Sequence, residues 1–138
     1  MRLGSARIGR LSAVALGDAA VLAAFLAYGL LSHAINPLTF PRHAAMTAVP
    51  FAIAWFVIAP VGGSYRRVAL ESARGALART ALVWIAVTLL AGAIRATPAF
   101  PGQSPPIFLL ANVVFGLAFL LPWRLAVALW CGRAEPGE

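Results

Sequence analysis

One carboxylate of this chain lies where water is scarce. Asp18 is the only acidic residue inside the four long apolar runs, the other acids being Glu71, Glu135 and Glu138. It stands seven residues past Leu11, where the first run begins, about 10 Å into an apolar layer at 1.5 Å per residue. A charge at that depth costs at least about 2.5–3.5 kcal/mol on insertion scales, so it has to face protein or water. Two kinds of chemistry fit such a group: a proton or cation site that loads and unloads, or one half of a permanent ion pair. Arg124 stands six residues before Trp130, where the last run ends, and enters from the same side. Its depth therefore matches that of Asp18. The structural pair Asp18–Arg124 is the preferred reading and a coupling site at Asp18 the alternative.

The remaining polar groups are few. The third run presents Thr80, Trp84, Thr88, Ala91 and Arg95 along one stripe. Thr88 and Arg95, with Asn112 of the fourth run, form a candidate polar stripe. It reads either as an anion-attracting vestibule or, by preference, as interhelical hydrogen bonding with Arg95 snorkelling to the headgroups. His33 and His43 flank the first loop, and two imidazoles without a third ligand make no metal or haem site. Cys131 has no partner for a disulfide. Neither a metal nor a cofactor is expected. Ala15, Ala19, Ala23 and Ala27 make an i,i+4 ladder of small side chains and are the expected helix-packing face. Asp18, Phe25, Gly29 and Ser32 fall on the neighbouring face. Tyr65, Trp123 and Trp130 read as interface anchors. No phosphate-cradling glycine loop or nucleophile elbow is present, so an enzyme is the least favoured class.

The elements that must position these groups follow from composition. Of 138 residues 62% are apolar and 11% charged, with a mean hydropathy of +0.87. A soluble domain runs about 45–50% apolar and about 25% charged, so lipid has to cover this surface. The apolar runs predict an all-α membrane bundle of four spans, at about 11–31, 41–61, 75–94 and 107–130. Each is long enough for a hydrocarbon core of roughly 30 Å. The second and fourth runs carry Pro50 and Pro122, where a bend is expected. Asp18 interrupts the first run and no A-x-A site closes it, so it reads as a retained helix and not a cleaved leader. The chain is expected to form a single membrane domain over 1–138.

Eleven arginines and no lysine give a formal charge of +7. Nine of them lie at the two termini and between the second and third spans; only Arg42 and Arg95 lie on the other side. The positive-inside rule then places both termini in the cytoplasm, and the Arg- and Ala-rich usage suggests a bacterial plasma membrane. Arginines confined to span ends argue against nucleic acid as the partner. In the middle connection, 64–74, Ser64 is a plausible N-cap and Arg67 and Glu71 stand at i,i+4. Tyr65, Val68 and Leu70 could rest on headgroups there while Arg66, Arg67 and Arg74 face anionic lipid.

Taken together, these residues resemble a family of small prokaryotic membrane proteins of unknown function, domain-of-unknown-function family 3054. The resemblance runs from about Asp18 to Arg124. It rests on Asp18, Ser32-His33, Pro50-Phe51, Trp55, Arg95 and Trp123-Arg124, and it implies a four-helix membrane protein without bringing an activity, substrate or cofactor. Small multidrug exporters are similar in length and in carrying a carboxylate in the first helix, although theirs is Glu. The expected function is a non-enzymatic interaction or accessory component, as a homo-oligomer or within a larger membrane complex. The alternative is a small proton- or ion-coupled transporter or channel, dimeric, working through Asp18.

Overall fold

The structure, a computed structural model, describes residues 2–100 and 102–133. The chain forms five helices: α1 (Arg2–Ser32), α2 (Pro41–Val61), α3 (Arg67–Glu71), α4 (Ala73–Arg95) and α5 (Pro106–Arg133). All but α3 are long and apolar enough to cross a membrane, and no strand is present among the described residues. Each long helix encloses its expected span. Their exposed faces carry large apolar side chains such as Leu16, Phe56, Leu82, Leu89 and Leu110, surface suited to an apolar surrounding.

Local chemistry sets the ends of these helices. Pro41 opens α2, where a missing N–H costs nothing, and α2 runs on through Pro50 and Pro60. Likewise, α5 continues through Pro122. Gly63, at φ +79, supplies the left-handed turn that releases the chain from α2. The N-cap expected of Ser64 falls instead to Ser72, whose Oγ accepts a hydrogen bond from the Gly75 N–H at 3.2 Å and opens α4. Ser64 is buried in the turn, where its carbonyl accepts from the Arg124 side chain.

The middle connection also packs more deeply than a headgroup-resting segment would. Leu70 is buried against Val14, Val127 and Cys131, and Tyr65 turns into the bundle, leaving Val68 as the exposed apolar residue of the three. Arg67 does pair with Glu71, at 2.6 Å.

Helix α4 packs extensively on both α2 and α5, whereas α1 touches α5 and α2 more sparingly. The core is an aromatic layer across mid-bundle. Phe25 meets Trp84 edge-on at 5.4 Å, Phe51 stacks on Trp84 at 5.8 Å, and Trp55 lies 6.2 Å from Trp84. Glycine makes this closeness possible at one point: a Cβ on Gly116 of α5 would run into the Trp84 indole. The start of α1 and the end of α5 lie at one end of the bundle with the α2–α4 connection, the terminal end. The two other loops, 33–40 and 96–105, lie at the far end.

Candidate functional site

Asp18 sits on the buried stripe of α1, formed by Val14, Asp18, Leu22, Phe25 and Leu26, where i,i+4 spacing keeps one face toward the bundle. Its neighbour Gly17 sets how closely α5 can approach. A Cβ there would collide with the six-membered ring of Trp123, so only glycine lets the indole lie against α1. Trp123 and Arg124 are consecutive on α5, and both reach the same carboxylate. The Trp123 Nε1–H donates to Asp18 Oδ1 at 2.9 Å, and Arg124 Nη2 donates to Oδ2 at 2.6 Å. Tyr65 adds a third donor from the middle connection, its hydroxyl bonding Oδ2 at 2.6 Å.

Arg124 is held on its other side as well. Its Nη1 donates to the Ser64 carbonyl at 2.8 Å. The guanidinium carbon lies 5.5 Å from the centre of the Trp55 ring and 5.1 Å from that of Tyr65, within cation–π range. Asp18 is 0% exposed and Arg124 1%. The Tyr65 phenol, outside the spans, is pushed above its ordinary pKa, first by burial and then by the Asp18 carboxylate, so it stays an O–H donor. One acid, one cation and two neutral donors thus close into a neutral cluster joining α1, α5 and the α2–α4 connection.

A free site for a proton or cation needs a face of the carboxylate open to a carrier. Here both oxygens accept from protein groups, and the aromatic layer of Phe25, Phe51, Trp55 and Trp84 separates the cluster from the far end. That arrangement is suited to holding three segments together.

The other predicted residues distribute differently. Ala15, Ala19 and Ala27 are half-buried and Ala23 is exposed, so the alanine ladder borders the packing face and does not form it. Larger side chains one position away fill the contact. The polar stripe divides. Thr88 is fully buried with its hydroxyl unbonded, whereas Arg95 and Asn112 reach a cavity at the far end. The Asn112 side-chain amide donates to the Phe108 carbonyl of its own helix at 2.7 Å, while its main-chain carbonyl accepts from the Trp84 Nε1–H at 3.0 Å and so joins α4 to α5. Arg95 packs its guanidinium against Gly102 of the 96–105 loop. It is half-buried over the Phe108 ring, 5.1 Å from the centre. His33 and His43 line the same cavity, and among the described residues no cluster of His, Cys, Asp and Glu could hold a metal ion.

Two members of the buried cluster escape sequence reasoning. Tyr65 and Trp123 read as interface anchors because aromatic residues at span ends ordinarily are. The available signal is adjacency: Tyr65 follows Ser64, whose carbonyl Arg124 uses, and Trp123 precedes Arg124 itself. Trp130, the third expected anchor, is exposed at the terminal end.

A family model described as "Protein of unknown function (DUF3054)" matches residues 15–127. No curated protein and no solved structure matches the chain.

Proposed function

For a chain that belongs to the DUF3054 family, a membrane protein with four spanning helices, we propose a non-enzymatic role as an interaction or accessory component. The observation that carries this reading is the state of Asp18: buried, paired with Arg124 and bonded at both oxygens. A coupling carboxylate must exchange its partner during each cycle, and this one has three partners fixed by packing. Small, apolar and rigidly pinned, the bundle offers other membrane proteins its lipid-facing helices as contact surface.

The arginine distribution supports a terminal end facing the cytoplasm of a bacterial plasma membrane. Arg66 and Arg74 are exposed there, and with Arg67 they would meet anionic headgroups. Reporter fusions after Glu138 and in the 64–74 connection should read cytoplasmic, and fusions near Asn36 and Gln103 outside. The reverse pattern would remove the orientation.

The functional reading is tested by flux. Vesicles carrying the purified protein should dissipate imposed proton and sodium gradients no faster than protein-free vesicles. Gradient dissipation abolished by Asp18→Asn in a protein that still folds would overturn it in favour of a transporter.

A further inference from the structure

The far end holds a cavity of about 510 Å³ between α1, α2, α4 and α5, within the range of about 300–1,000 Å³ typical of small-molecule sites. Its walls are mostly apolar, with Phe25 at the bottom and Tyr28 and Phe115 at the side, both half-exposed toward lipid between α1 and α5. From Phe25 to His33 at the rim α1 rises roughly 12 Å. Arg95, Ser32, His33 and His43 line the space near the rim, and Thr47 and Asn112 line it about 9 Å inside the starts of α2 and α5. No acidic side chain does.

Arg95 is the informative residue. Its guanidinium has no carboxylate and no hydrogen-bond acceptor among the described residues, and its Nε is buried without a partner. An aromatic face below it offsets only part of the lost hydration. A half-buried cation held this way lacks an anion, and the space beside it is shaped for an apolar body. Gly29 adds a second observation: a Cβ placed there would touch nothing within 4 Å, so α1 leaves the cavity open where any other side chain would narrow it.

We propose that this cavity binds an anionic amphiphile, its carboxylate or phosphate head on Arg95 and its apolar tail running down to Phe25, admitted from the membrane between α1 and α5. The inference stands independently of the accessory role. Arg95 supplies charge-assisted hydrogen bonds to the head, and the imidazoles stand at the rim where further head oxygens would lie. The lower wall contributes by burying apolar surface alone.

The full-length protein in a neutral detergent tests this with three probes: palmitoleic acid, the alcohol of the same chain, and inorganic phosphate. The acid should bind saturably, about tenfold more tightly than the alcohol, the factor expected of one charge-assisted contact. Phosphate alone should not compete, since the tail is needed. Arg95→Gln should bring the acid down to the affinity of the alcohol while leaving the alcohol unchanged, and Arg95→Lys should restore part of the preference. Gly29→Leu, which fills the cavity and favours the helix, should abolish binding of both chains with the melting temperature kept. Equal binding of acid and alcohol by the parent, competition by phosphate alone, or undiminished binding to Gly29→Leu would each overturn the proposal.

Discussion

The two ends of the bundle treat the same kind of side chain in opposite ways. At the terminal end Arg124 is wholly buried and its charge is answered by Asp18, by the Ser64 carbonyl and by two aromatic faces. At the far end Arg95 is half-buried, rests on one aromatic face and has no anion. A cation in a low-dielectric setting is tolerable only when its charge is compensated. Where the chain itself completes the compensation the region is a fastener; where it does not, the region has room for something else. Burial alone does not separate a structural arginine from a receptive one. The partner set does.

The largest test of this contrast is to unpair the closed end. Asp18→Asn and Arg124→Gln should each destabilise the protein by about 3–5 kcal/mol, since each strands a buried charge. The double variant should recover much of the loss, because two neutral amides can still bond across α1 and α5. Melting curves in detergent for the three variants decide the matter, and single variants that melt like the parent would erase the contrast.

A smaller effect is expected at Gly17. The added methyl of Gly17→Ala must displace the Trp123 ring and with it the Nε1 bond to Asp18, at about 1–3 kcal/mol for overpacking. Near-ultraviolet circular dichroism should register the moved indole. An unchanged spectrum and melt would show that the glycine does not hold Trp123 in place.

The smallest effect belongs to the open end. With no amphiphile present, Arg95→Gln and the double change of His33 and His43 to Ala should shift stability by no more than about 1 kcal/mol, the size of one partly solvated cation–π contact. A loss of several kcal/mol would mean that the far end is a second fastener.

Much of the architecture is legible in the chain because lipid imposes a simple rule on length. Leu11 and Trp130 mark depth closely enough that Asp18 and Arg124 can be counted to the same level, and their side chains meet there. Rotation about each helix axis is another matter. In water the apolar face of a helix declares the buried side; in a bilayer all sides are apolar, and α5 is greasy around its whole circumference. The alanine ladder illustrates the difficulty. Alanines occur on several faces of α1, so their spacing does not distinguish the packed side, which Val14, Leu22 and Phe25 occupy instead. Tyr65 and Trp123 are hidden for the same reason, because which way an aromatic at a span end points depends on that rotation. The far cavity is lined by α1, α2, α4 and α5 together, and no local pattern of residues records it.

The separation of 106 residues between Asp18 and Arg124 has a consequence in time. Asp18 lies on α1 and Arg124 on α5, so the acid leaves the ribosome well before its partner. At about 5–20 residues per second, synthesis delivers the arginine about 5–20 s after the acid. Through that interval the nascent chain presents a carboxylate in the bilayer with no counter-ion of its own. The pair can close only once α5 has been made and has packed against α1. A fragment ending before α5 would keep that carboxylate uncompensated in the bilayer, at a cost of at least about 2.5–3.5 kcal/mol.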